Sequence, residues 1–205
     1  MKIYKIIRDL DNTTDYAEFQ ISSDSSWAGS LLFMNKNEHK YELPISYVTM
    51  NKNRPTDYPY SYNNIVSEQF MDVIKQMNTS YEALDSVVFY GGKNLKSYCL
   101  QSGNPDGRIW GMFYTVIFPE FELFNWDKSI FVEKNSKVSG KRIVTNLQKL
   151  VLDHNQLNKQ IKNLQNNNFF VLSEKPIDVL CTEKAKQAIE DAGLTGIAFE
   201  EVPIE

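Results

Sequence analysis

Two histidines and two cysteines are the side chains of this 205-residue chain with the widest chemical repertoire. Their spacing gives them little to do together. His39 and His154 fall in different regions, and neither has a Cys or His neighbour at the short intervals that build a zinc site. Cys99 and Cys181 sit in apolar, strand-like surroundings, where a cysteine behaves as a small buried hydrophobe. Either could act as a nucleophile only if the fold carried a histidine to it. The stretch DLDNTTDYAEFQ (9–20) places Asp9 and Asp11 at positions one and three of a calcium loop. Its sixth position is Thr14, where the loop needs Gly, and its twelfth is Gln20, where it needs a bidentate Glu. A solvated acidic turn is the reading that fits. The chain has no G-x-S-x-G elbow and no phosphate-binding G-x-x-x-x-G-K-[ST], and Ser139-Gly140-Lys141-Arg142 reads as a turn. No catalytic, cofactor-binding or metal-ligating residue is therefore expected, and no cofactor.

Aromatic side chains carry more information: 11 Tyr, 12 Phe and 3 Trp. Most phenylalanines lie in strand-like runs and belong to a core. Tyr58, Tyr60 and Tyr62 alternate through the loop NKNRPTDYPYSYNN (51–64), which has two prolines and no apolar period. Tyrosine offers a large, stiff, amphipathic contact surface at small entropic cost, so these three are the candidate partner-binding residues. The competing reading folds their rings back onto the domain.

The elements that would position such a loop are short strands and helices. KIYKII, YAEFQI and YELPISYVTM read as strands, the last held at an edge or a strand start by Pro44. VSEQFMDVIKQM follows as a helix, with Ser67 as N-cap, Glu68 at the positive end of the dipole, and Phe70, Val73, Ile74 and Met77 as one apolar stripe. SVVFY, Gly91-Gly92 and LKSYCLQ predict a hairpin, and GNPDG turns the chain into a long strand ending near Phe118. Over 141–165 a long helical stripe competes with a strand near 147–152 followed by a short helix, and the second pattern is preferred. IDVLC, a helix capped by Thr182 and closed by Gly193, and GIAFEEV complete a strand–helix–strand unit. The two capped helices match at equal offsets, which fits either two related halves or two independent uses of the same capping rules.

Composition bounds the class. With 42% hydrophobic and 23% charged residues this is ordinary globular material. The longest apolar run, IWGMFYTVIF, has ten residues and is too short to span a bilayer. Arg8, Asp9 and Asp11 come too early for a signal-peptide core, so a cytoplasmic location is expected. A net charge of −4 argues against a nucleic-acid partner. The modest basic cluster Lys134, Lys137, Lys141, Arg142 and Lys149 reads as a solvated edge. The acidic C-terminal stretch, including Glu200, Glu201 and Glu205, suits a basic protein.

Three segments, NIVSEQFMDVI, FELFNWDKSIF and DVLCTEKAKQAIEDAGLTGIAFEEV, together resemble the bacterial polymorphic-toxin immunity proteins of family eleven, formerly a family of unknown function. The features carrying the resemblance are the helix start Ser67-Glu68, the element Asp127-Lys128-Ser129, and the closing Gly193-Leu194-Thr195-Gly196 with Phe199. They occur in the same order over most of the chain; the loop at 51–64 and the polar stretch at 153–168 have no counterpart. The resemblance implies a cytoplasmic protein, not an enzyme, that neutralises a cognate toxin domain by stoichiometric binding. The alternative is a small-molecule enzyme whose active site follows no motif. The expected fold is α+β, with mixed, mostly antiparallel sheets and a few short helices. It forms a single domain over 1–205, which the repeated unit divides into candidate lobes at 1–120 and 121–205.

Overall fold

The computed structural model describes residues 1–9, 17–20, 45–49, 55–59, 64–90, 109–135, 140 and 142–205, and of 17–20, 45–49, 87–90 and 109–111 the backbone course alone. The fold is α+β. One five-stranded sheet has the order β12 (Ile197–Glu201), β1 (Ile3–Arg8), β11 (Lys175–Thr182), β10 (Phe169–Leu172) and β7 (Glu120–Phe121). It is antiparallel except between β10 and β7. A second sheet runs β2 (Ala17–Gln20), β3 (Ile45–Thr49), β5 (Glu82–Tyr90), β6 (Ile109–Ile117) and β4 (Ile65–Ser67), antiparallel except between β3 and β5. β8 (Ile130–Asn135) and β9 (Arg142–Lys149) form a separate antiparallel pair. The helices are α1 (Glu68–Gln76), α2 (His154–Gln165) and α3 (Glu183–Asp191). Among the described residues no helix is long and apolar enough to cross a membrane.

The repeated strand–helix–strand unit has the same topology both times. β4 and β5 flank α1 in the chain and lie on either side of β6, antiparallel to it. β11 and β12 flank α3 and lie on either side of β1, again antiparallel. Each helical crossover thus leaves a slot one strand wide, filled by a strand from elsewhere in the chain. The further strands are added on opposite sides: β10 and β7 beyond the strand that leads into α3, β3 and β2 beyond the strand that leaves α1. A boundary at residue 120 does not separate the sheets, because β1 from the chain start fills the slot between β11 and β12.

Two clusters of buried side chains lie on the two faces of the first sheet. Phe70, Met71, Val73 and Ile74 of α1 and Ala185 and Ile189 of α3 share one cluster with Tyr4, Ile6, Phe169, Val171, Val179 and Cys181, and with Val66 and Val116 of the second sheet. On the other face Ile3, Phe170, Leu172 and Leu180 meet Phe124, Leu152, Leu157 and Leu164. Being covered on both sides explains why β10 is the unbroken apolar run Phe-Phe-Val-Leu.

Over 141–165 the strand is β9, which begins before the expected 147–152 span and covers its first half, 147–149, and the helix is α2. Leu150, Val151 and Leu152 are a buried connection, with Leu152 bridging Phe124 and Ile204. Asp153 caps α2 by accepting from the Gln156 amide at 2.9 Å. β5 pairs with β6, while LKSYCLQ and GNPDG lie outside the described residues.

Candidate functional site

The two helix starts are built alike, down to their hydrogen bonds. In α1 the Ser67 hydroxyl accepts from the Phe70 amide at 3.1 Å and donates to Asp57 Oδ1 at 2.6 Å. The Ser67 N–H donates to the Asp57 carbonyl at 3.0 Å. In α3 the Thr182 hydroxyl accepts from the Ala185 amide at 3.4 Å and donates to Asn168 Oδ1 at 2.7 Å. The Thr182 N–H donates to the Asn168 carbonyl, also at 3.0 Å. One short polar residue therefore holds each cap by both its backbone and its side chain.

Each of these residues also grips the loop leaving the other helix. Asp57 Oδ2 accepts from the Thr195 amide at 2.8 Å and from the Thr195 hydroxyl at 2.9 Å, just past α3. Asn168 donates from Nδ2 to the Asn78 carbonyl at 3.1 Å and from its backbone to Thr79 Oγ1 at 2.9 Å, just past α1. Gln69 in the first turn of α1 adds a bond to the Ala192 carbonyl at the end of α3. The positive end of each helix thus lies by the negative end of the other, a favourable dipole arrangement. α3 closes as a Schellman motif, with Gly193 at φ 64°, its N–H on the Glu190 carbonyl and the Leu194 N–H on that of Ile189.

Replacing Asp57 by Ala removes three side-chain bonds at once. The group is partly exposed, so its charge contributes less than in a buried site, and a loss of about 2 kcal/mol is expected from urea denaturation. Asp57→Asn, with one acceptor oxygen, should recover about half of that loss.

The residues expected to act at the surface divide. Tyr58 is only 3% exposed, so its assignment to a partner surface is corrected: the ring is core. It packs edge-on against Phe70 at 5.9 Å between centroids, under the Arg8 guanidinium at 4.5 Å, and its hydroxyl donates to Asn64 Oδ1 at 3.1 Å. The main chain at Pro59 accepts from Arg8 Nε at 3.0 Å, which presses the segment onto the domain. Tyr60, Tyr62, His39 and Cys99 lie outside the described residues. Cys181 is buried and burial pushes its thiol well above the usual range, so it is no thiolate nucleophile. His154 is exposed in the first turn of α2. Among the described residues no three His, Cys, Asp or Glu side chains group as a metal site.

Asp127-Lys128-Ser129 forms a rigid foot for the β8–β9 hairpin. Asn125 Oδ1 accepts from the amides of Asp127 and Lys128, and the Ser129 hydroxyl exchanges hydrogen bonds with both backbone groups of buried Val151 at 3.0 and 3.2 Å. On the hairpin's inner side Phe131 packs with Phe124 and Trp126, Leu147 joins the same cluster, and Arg142 stacks 3.9 Å from the Trp126 ring centroid. The Val144 N–H donates to the Glu174 carbonyl at 2.8 Å.

The outward side is unlike the rest of the described surface. Ile130 and Val132 are 53% and 54% exposed, two residues apart on one strand. They pair across the ladder with Lys149 and Asn146, and Lys134 pairs with Ile143. An apolar centre with a basic rim, held on an aromatic base, is the anatomy of a contact surface. Asp57, Asn168 and the pair Ile130/Val132 all escape sequence reasoning. The first two are single polar residues in polar stretches, and the third looks like any half-buried strand.

No model of a known family matches the chain, and no curated protein does.

Proposed function

We propose that this chain is an immunity-type protein, which neutralises a cognate bacterial toxin domain in the cytoplasm by stoichiometric contact and without turnover of its own. The observation that carries the reading is the exposed Ile130/Val132 face on a hairpin whose foot is the Asp127-Lys128-Ser129 element. Rigid presentation of apolar side chains lowers the ordering cost of association. The resemblance of the three segments agrees with it. Two of them, at Ser67 and at Thr195, meet on the Asp57 carboxylate, so their residues serve the scaffold that such a surface requires.

Co-expression with the C-terminal domain of a large toxin encoded immediately upstream tests the proposal. Survival of the cells and a 1:1 complex on gel filtration are expected. Equal killing with and without this protein, with no complex formed, would remove it.

A further inference from the structure

Resting on that reading, we infer that the outward face of the β8–β9 hairpin is the contact surface, and that it takes an acidic protein face with an apolar centre. The expectation from composition alone is the opposite one, a basic partner at the acidic C-terminal stretch. In the fold that stretch is partly neutralised from within: Lys2 pairs with Glu201 at 3.4 Å, Lys128 with Glu205 at 3.6 Å, and Lys186 with Glu190 at 2.7 Å. The hairpin is the reverse case. Residues 130–149 contain five Lys or Arg and one Asp or Glu, in a chain with 22 and 26 respectively. That leaves seventeen basic against twenty-five acidic residues elsewhere, so the charge is unevenly distributed along the chain.

Within the two strands the single carboxylate is Glu133, and it is tied to Arg142. Lys134 and Lys149 form no ion pair among the described residues. Lys149 pairs across the ladder with Ile130 and Lys134 with Ile143, and Lys134 follows Val132 by two residues on the same strand. A phosphate backbone would use the lysines and leave the apolar pair wet; a protein face with carboxylates around an apolar patch uses both. Among the described residues β8 pairs with β9 alone, so its other edge also has backbone groups to offer an extended segment of the partner.

Calorimetric titration with the upstream-encoded toxin domain tests the surface. Ile130→Asp with Val132→Asp is expected to weaken the complex at least about 30-fold, the scale of one central anchor. Lys134→Glu with Lys149→Glu should weaken it about tenfold and flatten its dependence on salt between roughly 0.05 and 0.5 M. Met112→Asp, on an exposed site of the second sheet, should bind as wild type. All three proteins should melt where wild type does, since the changed side chains are exposed. Hairpin variants that bind with wild-type affinity would overturn the inference and leave the proposed function standing. Binding of a 20-base-pair duplex as tight as that of the toxin domain, lost on lysine reversal, would overturn it in favour of nucleic acid. Failure of the wild-type protein to form any complex removes the function and this surface together.

Discussion

Replacing Tyr58 by Ala is expected to lower the folding free energy by about 3–5 kcal/mol, the range for truncating a buried aromatic ring. For a domain of this size that is a fall of roughly 6–20 °C in melting temperature. The ring fills space against Phe70, which itself packs on Phe169 at 6.0 Å, and that ring stacks on Phe118 at 5.7 Å. The gap therefore opens at one end of an aromatic row running through the shared core. Tyr58→Phe separates the hydroxyl from the ring. It leaves buried Asn64, whose Nδ2 already has no hydrogen-bond partner among the described residues, without its acceptor bond as well, and should cost about 1–3 kcal/mol. The phenol also predicts an alkaline limit. Burial raises its pKa above the ordinary value of 10, with Arg8 opposing the shift. A raised folded-state pKa means that the contribution is complete below pH 10 and is lost as pH climbs through the folded value. Denaturation midpoints followed from neutral pH upward should fall for wild type and stay flatter for Tyr58→Phe.

Gly196→Ala is the second large effect, expected at about 2–5 kcal/mol. A Cβ at this position would lie 2.3 Å from Thr56 Oγ1 and 2.5 Å from Thr56 Cβ, and the backbone is at φ 75°, where L side chains are strained. The segment at Thr56 cannot retreat cheaply, because its neighbour Asp57 is bonded to both Ser67 and Thr195. Gly193 is the internal comparison. Its φ of 64° is similar, but nothing lies within 4 Å of the added methyl, so Gly193→Ala should show the backbone strain alone, about 1–2 kcal/mol. Thr56→Gly combined with Gly196→Ala should recover the overlap and retain that strain. If Gly193→Ala and Gly196→Ala proved equally costly in urea, the close approach of the two segments would be wrong.

Both effects involve the loop 51–64 that composition marks as irregular surface: Tyr58 lies in it, and Gly196 lies against its Thr56. A window of two prolines and four asparagines has no periodicity from which burial can be read, yet Tyr58 and Asp57 within it join the two halves. The helix units were fully legible. Ser67 and Thr182 are hydroxyls before amphipathic stripes, Gly193 follows the last periodic residue, and all three cap their helices in the fold. Such signals are local, acting over three or four residues of backbone, and so survive in the linear chain. The strand expected over 147–152 overlaps β9 at 147–149 and differs at its second half, because Leu150-Val151-Leu152 looks like a strand but is buried as a connector, which apolar content alone cannot distinguish.

By itself, then, the amino-acid order determined the class of fold and both capped helices with their apolar stripes, because capping and periodicity are written in neighbouring residues. Only the tertiary structure decided that β1 fills the slot beside α3, that Asp57 and Asn168 each bind one helix start to the far loop of the other, and that Tyr58 is inside while Ile130 and Val132 are outside. Those outcomes depend on which segments far apart in the chain come to lie against each other. A side chain's exposure is set by that neighbour and not by its own type.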